Sequence, residues 1–235
     1  ADGQLPAITI REENGTARVV GKVDRVDGWL HDGKLYLRVV DYKTGKKSFD
    51  LAELRYGLGL QMLLYLFTLK EEGQMLFGGH EIVPAGVLYT PAREPMLRCA
   101  RDTEPEKIEK ALKKELRRSG MVLEDPAVLQ AMEHSALTSP CYLPIAVKKD
   151  GAVTGSLASA EQLGKLSKYV DRLLHEITQE VFAGNIDADP YARTPQQSAC
   201  TYCEFASACH FENGCGSDRM EYIKETKNDE CWQYI

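Results

Sequence analysis

The chain has 235 residues, 43% of them apolar and 27% charged, with a formal net charge of −6 from 35 acidic and 29 basic side chains. That composition belongs to an ordinary globular protein, long enough to bury a full core without disulfide or metal staples. The acidic balance argues against holding nucleic acid by global attraction, while leaving room for a local basic groove or a site built around cations.

Taken in chain order, Ile8–Glu13 reads as a short strand turned by Asn14-Gly15, and a longer strand follows from Thr16 to about Leu30. Asp32-Gly33 is a two-residue hairpin signal, and Lys34–Lys43 reads as the next strand, stopped at Thr44-Gly45. The first 45 residues therefore read as an antiparallel meander. Asp50 is a candidate N-cap for a helix from Leu51 to about Glu72, ended by Gly73. Its middle, Leu58–Leu69, is apolar nearly all round and is expected to lie buried against the sheet. That run is broken by Gly59, Gln61 and Thr68, and no stretch approaches the roughly 20 apolar residues of a membrane span. Val83–Thr90 reads as a further strand and Glu104–Arg118 as a charged, solvated helix. Residues 121–144 are mixed, 150–156 form a Gly-containing turn, and Ser159 to about Ala183 is a second long helix closed by Gly184-Asn185. A meander, a buried helix and another strand indicate an α/β or α+β fold.

The chemistry-bearing residues sit in the meander. Alternation in the strand ending at Lys43 puts Asp41 and Lys43 on one face and Tyr42 on the other. The same face carries Leu35, Leu37 and Val39, so Asp41 terminates an apolar row, which a solvated surface ion pair would not do. Asp24 lies eight residues before Asp32 and Asp41 eight after Gly33, so the hairpin sets them opposite one another. Two carboxylates on paired strands are hard oxygen ligands suited to Mg²⁺ or Mn²⁺. Such a cation activates water and neutralises charge on a phosphodiester, with Lys43 beside it to orient the nucleophile and stabilise the charge that develops. On the following helix Gln61 and Tyr65 are spaced i, i+4 and share one face. They are expected to point at the metal site or at a bound nucleic-acid backbone.

Gly21-Lys-Val-Asp24-Arg-Val-Asp27, Val-Asp41-Tyr-Lys43-Thr-Gly45 and Gln61-Met-Leu-Leu-Tyr65 resemble, in order and spacing, the motifs of RecB-like nucleases in the PD-(D/E)xK superfamily. The details around Asp24 and Gln61 look most like the C-terminal nuclease domains of AddB (RexB) subunits of bacterial helicase–nucleases. The resemblance covers most of 18–69 and again 184–212; the stretch from about 90 to 160 carries no usable motif. It implies a restriction-endonuclease-like α/β core, a mixed sheet flanked by helices, over 1–190, with a helical insertion about 100–140. A cysteine-rich metal-binding segment would occupy 191–235. It implies Asp24, Asp41 and the main-chain carbonyl of Tyr42 as metal ligands, Lys43 as the catalytic lysine, and Gln61 and Tyr65 as the helix motif. The activity implied is Mg²⁺-dependent DNA exonuclease action in double-strand-break repair, alongside an AddA-type helicase–nuclease partner. The family adds an acidic or histidine ligand from a preceding helix; none precedes Ile8, and Glu12 and Glu13 are the nearby carboxylates. Alternatives are a catalytically inactive DNA-binding or scaffolding module of the same fold, and a stand-alone RecB-like or CRISPR-associated exonuclease. There is no Walker loop, so the piece is not the motor.

Three of the seven cysteines, Cys200, Cys203 and Cys209, fall within ten residues, the first two as C-x-x-C. They suit one metal centre, with Cys215 or His210 as a local fourth ligand, and a zinc site is then the common outcome. The family resemblance implies instead a [4Fe–4S] cluster completed by a cysteine upstream of residue 1. Cys99, Cys141 and Cys231 have no partner at useful spacing. The odd cysteine count suits a reducing, cytoplasmic setting. Ala1-Asp2-Gly3-Gln4 has no signal-peptide character and reads as a cut inside a longer protein. Lys46 and Lys47, just past the Asp41–Lys43 strand, are the better placed for phosphate contact; Lys107–Arg118, with its Lys-Lys-Glu-Leu-Arg-Arg run, reads as a solvated charged helix, with phosphate contact as the alternative.

Overall fold

A computed structural model describes residues 7–45 and 47–235. Its elements, in chain order, begin with strands β1 (Ile8–Glu12), β2 (Gly15–Val19), β3 (Arg25–His31) and β4 (Lys34–Lys43). Helices α1 (Leu51–Leu54) and α2 (Gln61–Glu72), a 3₁₀ turn (Gln74–Phe77), strand β5 (Glu81–Pro91) and helix α3 (Pro105–Glu115) follow. Then come β6 (Ser119–Leu123), α4 (Pro126–Met132), β7 (Ile145–Val147), β8 (Val153–Gly155), β9 (Leu157–Ala158) and α5 (Ala160–Phe182). The C-terminal part carries β10 (Tyr191–Thr194), β11 (Gln197–Ser198), α6 (Ala206–Cys209), β12 (Glu221–Tyr222) and α7 (Asn228–Tyr234).

The chain divides into two compact units. Among the described residues, one comprises 7–8, 18–45, 47–49 and 60–170; the other gathers 9–17, 50–59 and 171–235. The second unit is assembled from three separate stretches of chain.

The first unit is built on a five-stranded mixed sheet of order β3-β4-β5-β6-β9. The Asp32-Gly33 hairpin pairs β3 with β4 antiparallel, and β4 pairs with β5 in parallel. A parallel pair needs a crossover connection, and the chain between them includes α2, which packs on both strands. β5 is central, and Ala85–Tyr89 are all buried, which accounts for its unbroken apolar reading. Met62, Leu63 and Leu66 of α2 are buried to within 1%. A further core cluster joins Leu88 and Val122 to Leu129, Ala136, Leu143 and Ile145. The mixed sheet with flanking helices is the restriction-endonuclease-like α/β architecture that the sequence implies.

Three local expectations change. The strand expected from Thr16 to Leu30 is interrupted: β2 ends at Val19 and β3 starts at Arg25. The expected helix over Leu51–Glu72 is two helices, because Gly57 and Gly59 adopt φ of +70°, a left-handed conformation that stops an α-helix. Residues 100–140, expected to be a helical insertion, hold α3 and α4 but also β6, which is a strand of the main sheet paired antiparallel to β5. Gly120 within β6 weakens the strand signal there.

In the second unit, Asp50 caps α1 as expected, its Oδ1 accepting from the Ala52 N–H at 2.9 Å. Arg193 donates to Asp50 Oδ2 and Glu53 Oε1 at 2.7 and 2.9 Å. β10 pairs with β11 antiparallel and with β12 in parallel. The Tyr56 and Tyr191 rings meet edge-on at 5.2 Å, and the Arg55 guanidinium lies 4.1 Å from the centre of the Tyr234 ring.

Candidate active site

The β3–β4 ladder pairs Arg25 with Val40, so the next position outward sets Asp24 against Asp41. Asp24 lies just beyond the last strand residue, and its Oδ2 accepts a 3.1 Å hydrogen bond from the backbone N–H of Tyr42. The ladder itself ends at Arg25–Val40, and beyond it the Asp24 carboxylate is held by the backbone of the strand that bears Asp41.

Asp41 is 7% exposed, in keeping with its place at the end of the buried Leu37–Val39 row. Lys43 Nζ lies 2.6 Å from Asp41 Oδ2, while that oxygen, shielded from solvent, accepts no hydrogen bond of acceptable direction. The ammonium balances the oxygen's charge at short range without a directed hydrogen bond. Lys43 Nζ is also 5.8 Å from the centre of the Tyr89 ring. A buried carboxylate oxygen left in this condition is costly for folding alone and suits a further cationic ligand.

Asp27, the second carboxylate of the Asp24 motif, is differently employed. It accepts from Arg25 Nε at 2.6 Å and from Arg38 at 2.9 Å, and Arg25 in turn donates to the Tyr42 hydroxyl at 3.1 Å. Burial pushes the Asp27 carboxyl up, but the two guanidinium groups outweigh it and hold it below the ordinary Asp value.

Gln61 and Tyr65 share a face of α2, and Gln61 Nε2 donates to the Tyr65 hydroxyl at 3.1 Å. Both line a cleft of about 350 Å³ together with Gly21, Val23, Leu64 and Thr68. A Cβ placed on Gly21 would fall 2.6 Å from both the Tyr65 hydroxyl oxygen and its ring Cε1. The glycine of the Asp24 motif is thus the seat of the helix-motif tyrosine. The structure brings Gln61 and Tyr65 to the segment that leads into Asp24; they bond to each other, not to Asp24, Asp41 or Lys43.

A second cleft of about 240 Å³ opens at Lys43 itself and is lined by Lys47, Tyr89, Arg93, Glu115 and Arg117 among others. Lys47 is one of the two lysines expected near phosphate; the other, Lys46, lies outside the described residues. Arg93 carries no sequence signal, being some 50 positions from Lys43, while Arg117 belongs to the basic run for which phosphate contact is the alternative reading. The Glu104–Lys107 and Glu109–Lys113 surface pairs on and before α3 are the solvated charge expected there, whereas Arg117 just past its end is bonded to the Leu143 and Ile145 carbonyls.

In the second unit, Glu12 accepts from His175 Nδ1 at 2.5 Å and from Gln179 at 3.0 Å, bonds that hold its carboxyl below the ordinary Glu value. That carboxylate is already engaged, and Glu13 is exposed. The cysteines are all free thiols: Cys200 is half-buried, and Cys203, Cys209 and Cys215 are exposed. Among the described residues, no three His, Cys, Asp or Glu side chains converge as a metal cage. For the Cys200, Cys203 and Cys209 segment, the donor chemistry matches a cluster or zinc ion and the geometry does not. Elsewhere Cys99 is exposed, Cys141 half-buried and Cys231 buried, and burial pushes the Cys231 thiol up.

For the Asp24–Asp41 pair the fit to a divalent cation is good: hard oxygen donors, one of them a buried atom that accepts no hydrogen bond. Among the described residues no helix is long and apolar enough to cross a membrane.

Comparison with known proteins agrees with this geometry. The family profile of the PD-(D/E)XK nuclease superfamily matches residues 3–210. Two proteins named as ATP-dependent helicase/deoxyribonuclease subunits, from Clostridium botulinum strain Loch Maree and from Acetivibrio thermocellus, are 34% and 35% identical over 100% of the chain. The Ruminiclostridium cellulolyticum protein of the same name is 32% identical over 99%. The chain spans about a fifth of these relatives, 21%, 20% and 20% of their lengths.

Proposed function

The chain belongs to the PD-(D/E)XK nuclease superfamily, and from that premise we propose that it is a divalent-metal-dependent deoxyribonuclease hydrolysing DNA phosphodiesters. The observation that carries this reading is that Asp24, tied by the Tyr42 N–H, comes to the strand end where Asp41 is buried against Lys43. The likeness to proteins named as helicase/deoxyribonuclease subunits supports a finer reading. The chain is then the exonuclease part of a helicase–nuclease, working with an AddA-type helicase partner in double-strand-break repair.

Asp24, Asp41 and the Tyr42 carbonyl would hold Mg²⁺ or Mn²⁺. When bound, the cation supplies water activation and charge neutralisation at phosphorus. The protein's own part is positional and electrostatic. The Tyr42 N–H fixes the Asp24 carboxylate, so it needs no reorganisation when a ligand arrives. The Lys43 ammonium, kept beside Asp41 and the Tyr89 ring, offers a hydrogen-bond donor to the phosphate oxygen on which charge grows. Water oxygen joins phosphorus as the bond to the 3′ oxygen breaks; that oxygen leaves with a proton, giving a 5′-phosphate and a 3′-hydroxyl. The cysteine segment takes no part in this chemistry.

The test is cleavage of end-labelled linear DNA by the chain with Mg²⁺, beside chelator and an Asp41→Asn control. Cutting that stops in both controls is expected. DNA binding without Mg²⁺-dependent cutting would overturn the reading in favour of a non-cutting module of the same fold.

A further inference from the structure

The cleft at Lys43 has a property that the Asp24–Asp41 pair does not explain. Its wall carries four cationic side chains, Lys43, Lys47, Arg93 and Arg117, against one carboxylate, Glu115, in a chain whose formal net charge is −6. All belong to one compact unit. The arginines are not equivalent. Arg117 is spent on the backbone, its Nε donating to the Leu143 carbonyl at 2.9 Å and its Nη2 to the Ile145 carbonyl. Arg93 is held at one edge only, its Nη2 lying 3.2 Å from Glu115 Oε2. Its Nε is shielded from solvent and has no hydrogen-bond partner. The side chain as a whole is 30% exposed, and a guanidinium clamped at one edge keeps its remaining accessible donors for an oxyanion.

We propose that this cleft is a phosphate subsite, in which Arg93 and Lys47 grip the phosphodiester next to the one presented to Asp41 and Lys43. Lys43 borders both, so the subsite adjoins the reacting position. Chain placement supports this: Lys43 pairs with Pro91 across the parallel β4–β5 ladder, and the Ala92 N–H extends it by donating to the Lys43 carbonyl at 2.9 Å. Arg93 therefore follows directly on the strand end that flanks Lys43. Arg93 and Lys47 are positioning residues: they set the register of the strand and touch no reacting atom. Glu115 competes with the phosphate for Arg93.

The inference rests on the nuclease reading, so its test is a binding measurement that needs no turnover. Binding of a labelled single-stranded oligonucleotide is followed by anisotropy, in chelator, across a salt series, for the chain and three variants. Arg93→Gln and Lys47→Ala are each expected to weaken binding and to lower the slope of log affinity against log salt by about 0.7, one phosphate contact on a single strand. Glu115→Gln is expected to do the opposite and tighten binding. An ion pair with only a structural role would make Arg93→Gln and Glu115→Gln fail alike, and that result, or three unchanged slopes, overturns the subsite. A second readout uses DNA bearing one neutral methylphosphonate beside a mapped cleavage position with Mg²⁺. The neutral linkage should slow the unmodified protein about tenfold and the Arg93→Gln variant hardly further. A full tenfold penalty in that variant also overturns the subsite. Salt-sensitive binding of the expected pattern with no cutting would leave the subsite standing and remove the nuclease reading.

Discussion

The backbone N–H of Tyr42 donates to the Asp24 carboxylate at 3.1 Å, so the strand that carries Asp41 also fixes its opposite number. This bond crosses the open end of the β3–β4 hairpin, one step beyond the Arg25–Val40 pair. It holds the Asp24 carboxylate at the strand end that carries Asp41.

Replacing Lys43 tests its charge role separately from metal binding. Lys43→Ala should lower the cleavage rate by about 10² to 10³ at saturating Mg²⁺, leaving the Mg²⁺ dependence similar. Lys43→Arg should restore part of it. A wild-type rate for Lys43→Ala in single-turnover cleavage would show that the ammonium serves only Asp41.

Gly21 and Tyr65 provide a packing test. Gly21→Ala places a methyl 2.6 Å from the Tyr65 ring and hydroxyl, an overlap that should cost about 1–3 kcal/mol in urea unfolding. In a Tyr65→Ala background the same change should cost little, giving a coupling of about 1 kcal/mol or more in a double-mutant cycle. Equal costs in both backgrounds would refute the contact.

The acid limb of stability should depend on Glu133. Burial pushes its carboxyl up, but the N–H groups of Cys141, Leu143 and Tyr142 outweigh that and hold it below the ordinary Glu value. A carboxyl depressed in the folded state contributes stability that is complete above the unfolded value and is lost as pH falls through the folded one. Glu133→Gln should therefore cost about 1–3 kcal/mol at pH 7. Its urea midpoint should also fall less steeply than the parent's below about pH 4.3. Parallel curves would remove Glu133 from the account.

Asp50 separates a helix cap from an ion pair. Asp50→Ala loses both the bond from Ala52 and the contact with Arg193, and should destabilise by about 0.5–2 kcal/mol. Asp50→Asn keeps an oxygen for the cap and should lose less. Thermal unfolding of the pair ranks them; equal losses would assign the whole effect to Arg193.

What the sequence determined by itself was local. The Asp32-Gly33 turn sets the β3–β4 register, and with it the facing of Asp24 and Asp41, because pairing in a tight hairpin is fixed by counting outward from the turn. Strand period places Lys43 beside Asp41, helix period places Gln61 beside Tyr65, and the capping role of Asp50 follows from its side chain. The tertiary structure decided what depends on residues far apart in the chain. Tyr65 lands on Gly21 from 44 positions away, and that contact coincides with the break between β2 and β3. Arg93 and Arg117 reach the Lys43 cleft only because β5 joins the sheet beside β4 and β6 beside β5. β6 itself is hidden by Gly120 and by its single buried run, Gly120–Leu123, which has no period to read. A turn or a helix face is set by neighbours within a few residues; a cleft is set by which strands meet, and that choice is made by the core as a whole.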